Sequence, residues 1–343
     1  MKSNLRFAVV GNGFWANYQI AAWKEVAGVD LVAVHDSVKS KAENIAHKFG
    51  VARVYEHVED LLKKERLDFI DIITDVDTHA PLAEMAARHG ISVICQKPMA
   101  PKLHIAQQMV ENFERLKIPL YIHENWRWQT PIRKLKKMLD KEMIGKIFKA
   151  RVTFCSAFPV FENQPHLAEL EEFILTDIGS HILDVCRFLF GEVESLICQT
   201  ARVNEKIKGE DVANVFMRMK TGMTCYAEMS YASILEYESF PQTFILVEGE
   251  RGSIHLMKDY ELHVTTDSGT ETISAPPRQY PWADPKYSLV HSSIVKCNRN
   301  ILGGLTAAAP AETTGKDNLE TVRLVHASYE SSRTNRLIDM HTF

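Results

Sequence analysis

The 343-residue chain is short of several things, and each scarcity excludes a class of protein. Its six cysteines, Cys95, Cys155, Cys186, Cys198, Cys225 and Cys297, form no C-x-x-C pair. Scattered thiols, several of them inside apolar runs, argue against both a disulfide framework and a zinc site. No apolar stretch approaches the roughly 20 residues that a membrane helix needs, so no membrane partner is expected. Neither sign of charge is in excess. A formal net charge of -4 gives no electrostatic case for nucleic acid or an anionic lipid surface. Internal repeats and low-complexity tracts are missing, and Met1-Lys2-Ser3-Asn4-Leu5-Arg6 runs into a short strand without a signal-peptide core. The expectation is a cytoplasmic protein, long enough for two domains with sizeable cores.

Up to about residue 123, short apolar runs alternate with amphipathic stretches. Strands are expected at Phe7–Val10, Leu31–His35, Phe69–Ile73, Ile91–Cys95 and Leu120–His123, with helices near Trp15–Val26, Lys39–Phe49, Thr78–His89 and Lys102–Leu116. That alternation implies βαβ units and a parallel sheet with right-handed crossovers. Past Pro131 the texture changes. A helix at Ile132–Leu139 and a long strand at Lys146–Ser156 precede a helical stretch from about Ile178 to Leu189. Strand-like runs then follow one another from Ser195 to Ile273, and a helix near Asn318–Ser331 closes the chain. The expected fold is an α/β Rossmann-type dinucleotide-binding domain over residues 1–124, followed by an α+β domain over 125–343 with a large, mostly antiparallel open sheet.

The first strand leads into Gly11-Asn12-Gly13-Phe14-Trp15-Ala16, a G-x-G-x-x-A dinucleotide fingerprint in the first βα turn. Gly11 allows the tight turn, Gly13 lets backbone approach a pyrophosphate, and Ala16 permits close helix–strand packing. Phosphate oxygens would meet the unpaired N–H groups at the helix start. Trp15 is expected near the nicotinamide end. The second strand ends at Asp36, where an acid would bond the adenosine ribose hydroxyls and repel a 2′-phosphate. NAD is therefore expected in preference to NADP. Asp36 could also simply cap the following helix.

A lysine ends the apolar run Ile91-Ser92-Val93-Ile94-Cys95-Gln96-Lys97-Pro98, at the carboxyl edge of the sheet, where open α/β folds bind ligands. On its own Lys97 has a plain account as a solvated side chain. Three further groups belong with it. The loop Thr74-Asp75-Val76-Asp77-Thr78-His79 would cover the cofactor. Asn125-Trp126-Arg127-Trp128 follows the last strand of the first domain, and Asp177 and His181 stand four apart on one helical face. Asp-x-x-x-His also suits two metal ligands, but no third ligand lies at a telling spacing.

Together the fingerprint at Gly11–Ala16, the loop Thr74–His79, Gln96-Lys97-Pro98 and Asp177-x-x-x-His181 resemble the glucose–fructose oxidoreductase, inositol dehydrogenase and rhizopine-catabolism family (Gfo/Idh/MocA) over essentially the whole chain. One departure stands out. The family usually has Glu-Lys-Pro, so Gln96 removes a carboxylate beside the lysine. The resemblance implies NAD-dependent oxidation of a hydroxyl on a small sugar, cyclitol or polyol. It implies His181 as base, Asp177 as its orienting partner, and Lys97 as ligand of the reacting oxygen. Cofactor contacts would come from Gly11, Asn12, Gly13, Phe14, Trp15, Ala16, Asp36, Thr74, Asp75, His79, Gln96 and Lys97. Asn125 and Arg127 would join Lys97, Asp177 and His181 in binding substrate, and His166, Tyr280 and Trp282 are candidates for the pocket wall. The second-domain sheet would make a homodimer or homotetramer. Two rivals share the fold: an NAD-dependent glycoside hydrolase and a non-catalytic NAD-binding regulator.

Overall fold

The computed structural model describes residues 4–343, which divide into two compact units. The first holds the chain up to Asn125 together with Tyr280–Pro285 and His291–Val322. Its elements alternate as the apolar pattern requires: β1 (Leu5–Val10), α1 (Ala16–Lys24), β2 (Val29–His35), α2 (Lys39–Phe49), β3 (Arg53–Tyr55), α3 (Val58–Lys64), β4 (Phe69–Ile72), α4 (His79–Arg88), β5 (Ser92–Gln96), α5 (Leu103–Leu116) and β6 (Leu120–His123). The strands form one parallel sheet in the order β3-β2-β1-β4-β5-β6. In such a doubly wound sheet the order reverses between β1 and β4, and ligands bind at that switch point.

The central strands β1 and β4 are apolar runs because helices cover both faces, and Phe7, Ala8, Val9 and Val10 are all buried. β3 and α3 escape the apolar pattern. The strand has only three residues at a sheet edge, and Arg53 lies in solvent. Tertiary bonds hold it, since Arg53 and the Tyr55 hydroxyl both reach the buried carboxylate of Glu65.

The second unit contains α6 (Thr130–Leu139), β7 (Ile147–Cys155), the short α7 (Val160–Asn163), α8 (Ser180–Phe190), β8 (Val193–Ala201), β9 (Val212–Met219), β10 (Thr224–Ser230), β11 (Phe244–Gly249), β12 (Gly252–Leu256), β13 (Glu261–Thr266) and β14 (Gly269–Ser274). After these come α9 (Ser288–Leu305), α10 (Gly315–Thr334) and a last strand, β15 (Ile338–Asp339). The nine strands run in the order β14-β13-β12-β11-β7-β10-β9-β8-β15, antiparallel throughout except for the parallel β7–β10 pair. Alternate residues Ala150, Val152, Phe154, Ala213, Val215, Cys225 and Ala227 are buried on one face, where α8 packs on β7 and β10. The other face carries Arg151, Arg218 and Glu228 beside Phe216, which is 46% exposed.

Helix α9 is absent from the sequence expectation. Its Ser, Asn and β-branched residues are indifferent helix formers, and Leu289, Ser292, Ser293, Ile294, Val295, Cys297 and Asn298 are all buried. A helix buried nearly all round shows no polar stripe to mark its period.

Several buried groups in the first unit are polar, and the most deeply placed acid on its central strands is Asp71. Asp71 on β4 is fully buried, and its Oδ2 accepts hydrogen bonds from Trp23 Nε1 (2.8 Å) and Gln19 Nε2 (3.1 Å). Burial pushes its carboxyl up from 3.8 to about 6, and the two donors offset only part of that. Between those values the unfolded chain releases a proton that the folded chain keeps. Stability from this group is therefore full below about pH 4 and is lost as pH rises through about 6. Asp71→Asn removes that dependence. In urea unfolding at both ends of this range, the variant should gain on the parent by on the order of 3 kcal/mol from the acid to the alkaline side. An unchanged difference would show that Asp71 ionises normally.

Candidate active site

In the first unit, the residues expected to hold the cofactor begin at the turn after β1. Gly11 has φ +96, and a Cβ there would lie 2.4 Å from the carbonyl oxygen of Ile73, just past β4. Only glycine lets these two strand ends come so close. Gly13 differs: a Cβ there would meet nothing within 4 Å. No packing in the unit requires glycine at that position, so the open space fits a ligand's approach. The backbone N–H of Asn12 donates to Asp36 Oδ2 (2.7 Å), and its side-chain amide donates to the His35 carbonyl (2.7 Å). Asp36 Oδ1 accepts from the Val38 N–H (2.8 Å), so the acid braces its own loop and keeps lone pairs for a further donor. The side-chain oxygen of Asn12 is buried without a partner. Ala16 is fully buried, and α1 starts with no side-chain cap on its N–H groups. An uncapped helix start, a space a Cβ would fill and an orphan acceptor suit a dinucleotide phosphate and its ribose.

The loops after β4 and β5 are tied together by His79. Its ring is buried, with Nδ1 3.0 Å from the Pro98 carbonyl and Nε2 3.0 Å from the Thr74 carbonyl. Burial, which dominates over these carbonyls, lowers its pKa, and a neutral ring donates to one of them at a time. Both nitrogens face protein backbone, so His79 holds the cradle together. Thr78 Oγ1 braces the same loop through Thr74 Oγ1 (2.7 Å) and the Asp75 carbonyl (2.8 Å). Gln96 is buried at the end of β5, and Lys97, half-buried, follows it.

An aromatic cluster, of which the sequence pointed to Phe14, Trp15, Tyr280 and Trp282 but not to Tyr18 or His291, stands beside the glycine turn. Tyr18 packs against Phe14 (5.2 Å), Trp15 (5.9 Å) and His291 (4.3 Å), and Trp282 lies over His291 (5.9 Å) and Tyr280 (5.5 Å). Burial lowers the His291 pKa to about 4, so its ring stacks as a neutral imidazole. The spacing Phe14–Tyr18 was a usable signal. His291 sits on the unmarked α9 and gave none.

In the second unit, Asp177 and His181 sit where a π-helical turn, Leu175–Gly179, leads into α8. A regular helix was expected to begin at about Ile178. The wider turn keeps residues four apart close to one face and is often met at functional sites. Its start is capped from outside. The Glu210 carboxylate accepts from the N–H groups of Phe173 (3.2 Å) and Leu175 (3.3 Å) and from the Tyr329 hydroxyl (2.8 Å). The Thr176 N–H donates to the Tyr329 oxygen (3.2 Å). Burial raises the Glu210 pKa against the pull of these donors. Asp177 accepts from the Tyr231 hydroxyl (3.3 Å). His181 is buried and stacks on Trp126 (4.5 Å, 21° between planes), whose Nε1 donates to Thr243 Oγ1 (2.9 Å).

Two other expected site residues have structural partners. Arg127 is buried and grips Asp184 with Nε (2.7 Å) and Nη2, since a buried cation needs its counter-charge. Asn125 Nδ2 donates to Ser293 Oγ (2.7 Å). His166 is exposed on a 3-10 turn, Pro165–Glu169. Among the described residues no helix is long and apolar enough to cross a membrane, and no group of three or more His, Cys, Asp or Glu could hold a metal ion.

Residues 5–123 match the family model described as "Oxidoreductase family, NAD-binding Rossmann fold", and residues 132–255 match the GFO/IDH/MocA C-terminal domain. The chain is 40% identical over 338 residues to the D-apiose dehydrogenase of Rhizobium rhizogenes, covering 98% of both proteins. It is 25% identical over 257 residues to the myo-inositol 2-dehydrogenase of Thermotoga maritima, with 73% of this chain and 74% of that protein covered. The crystal structure of an oxidoreductase from Agrobacterium radiobacter, in complex with NAD+, L-tartaric acid and magnesium, superposes with a TM-score of 0.97 at 40% identity over 99% of each chain.

The two glycines predict opposite behaviour. Gly11→Ala should cost the ligand-free protein more than about 2 kcal/mol in chemical unfolding, from the left-handed φ and the clash with Ile73. Gly13→Ala should leave that stability unchanged and weaken NAD binding at least about tenfold in a fluorescence titration. Equal NAD affinity in Gly13→Ala and the parent would remove the turn from the cofactor site.

Proposed function

The chain belongs to the Gfo/Idh/MocA oxidoreductase family, and from that premise we propose that it is an NAD-dependent dehydrogenase of a small sugar or polyol. The observation that carries this reading is the near-full-length likeness to the D-apiose dehydrogenases, which makes a small aldose the first substrate to test. Cofactor binding is assigned to a domain of residues 1–124, and substrate binding and assembly to 125–343.

Bound NAD supplies the hydride acceptor. The chain's own residues manage position and protons. The glycine turn Gly11–Ala16, with Thr74, Asp75, Gln96 and Lys97, holds the dinucleotide, and His79 keeps two of those loops in register. Asp36 takes the adenosine ribose hydroxyls, and its carboxylate disfavours a 2′-phosphate, which is the basis for preferring NAD. His181 takes the proton of the substrate hydroxyl, for which histidine's ordinary pKa suits it. Stacking on Trp126 keeps the ring's orientation. Asp177 orients the substrate or the imidazole and favours its protonated form. Lys97 bonds the same oxygen and stabilises negative charge as the proton leaves. Asn125 and Arg127 are assigned to the substrate pocket, Arg127 through the loop that its pair with Asp184 holds in place.

The open face of the nine-stranded sheet, with Phe216, Ile197, Arg218 and Glu228 outward, is assigned as the homodimer or homotetramer interface. A cytoplasmic location fits the reduced thiols, since all six cysteines are free.

His181→Ala and Lys97→Ala should each lower kcat on a substrate aldose at least about a hundredfold, and His181→Ala should bind NAD as the parent does. Turnover at the parental rate in either variant contradicts these roles. Asp36→Ala should reduce the ratio of kcat/KM with NAD to that with NADP by at least about tenfold. An unchanged ratio would take cofactor choice away from Asp36.

A further inference from the structure

We propose that Asp71, acting through Gln19, fixes the Gln96 amide so that its carbonyl oxygen, and not its NH2 group, is the end offered to the cofactor. The proposal deepens the reading that Gln96 belongs to the NAD cradle, and rests on it. Four buried side chains carry it. Asp71 Oδ2 accepts from Trp23 Nε1 and Gln19 Nε2, and Gln19 Oε1 in turn accepts from Gln96 Nε2 (3.2 Å). Gln19 and Trp23 stand one turn apart on α1 and so reach the same carboxylate. Asp71 pairs in register with Ile94 on β5, two residues before Gln96, so both side chains leave the sheet on the α1 face.

The direction of the chain follows from what each group is able to do. An indole N–H only donates, and an ionised carboxylate only accepts. Gln19 must therefore turn its NH2 group toward Asp71, which leaves its oxygen facing residue 96. Residue 96 must donate to that oxygen. Its own oxygen then points away from Gln19, and an acceptor there suits a hydroxyl or carboxamide N–H of a dinucleotide. A glutamate at 96 is frustrated whichever way Gln19 turns, because one amide has a single donating end and would stand between two acceptor-only groups. Position 96 is thus an amide for a reason that lies in the core.

The test compares Gln96→Glu with Gln96→Met, each alone and with Gln19→Met, at about pH 8, where Asp71 is ionised. Glutamate is the closer isostere of glutamine, yet Gln96→Glu should melt about 2–6 °C below Gln96→Met, the cost of an unsatisfied buried acceptor. With Gln19→Met the gap should shrink by at least about half, since glutamate no longer faces an oxygen. A Gln96→Glu protein that fails to fold alone but folds with Gln19→Met is the same result in stronger form. Methionine melting below glutamate in the parent, or the same gap in both backgrounds, overturns the relay. Gln96→Met should also weaken NAD binding about 2- to 12-fold, the worth of one hydrogen bond. Parental NAD affinity in Gln96→Met, while Gly13→Ala loses it, overturns the role of the Gln96 oxygen and leaves the cradle standing. A parent protein that binds no NAD would instead overturn the cofactor reading itself.

Discussion

The approach of Gly11 to the Ile73 carbonyl at the switch point of the parallel sheet sets everything at the cofactor end. The ends of two neighbouring strands are pressed together there, and only a residue without a Cβ survives the contact. From that point order spreads in both directions. Asn12 ties the turn to Asp36, and His79 ties the loop after β4 to the loop after β5, where Lys97 stands. The cradle is therefore one braced object whose parts derive their positions from each other.

A second regularity concerns acids that only accept. Glu65 gathers Arg53 and Tyr55 to make an edge strand, Asp71 aligns two glutamines, and Glu210 caps the turn that bears Asp177 and His181. Each is a buried or half-buried carboxylate whose desolvation is offset by donors it selects. Raised pKa values at Asp71 and Glu210 record that the offset is incomplete. Such groups stabilise little on balance, but they decide which end of a neighbour faces where.

Local signals made much of this legible from residues alone. Apolar runs marked the strands β1, β4, β5 and β6, because a strand covered on both faces has to be apolar. The glycine turn, Asp36 and the strand-end lysine were readable because their spacing within βα units is short. What escaped was set by distant partners. β3 exists because Glu65 reaches back to it, α9 is buried nearly all round and shows no period, and the π-turn depends on Glu210 and Tyr329 arriving from far along the chain. The pairing of Arg127 with Asp184 gave no signal, because the two lie 57 residues apart. Gln96 read as a lost acid because Gln19 and Asp71, to which its amide is linked, lie far off in the chain.

The most direct measurement is the stoichiometry of NADH formed against aldose consumed, using purified protein, NAD and a panel that begins with D-apiose. An NAD-dependent dehydrogenase accumulates one NADH for each sugar oxidised. Sugar consumed with no net NADH, or NAD bound with no sugar in the panel consumed, would contradict it.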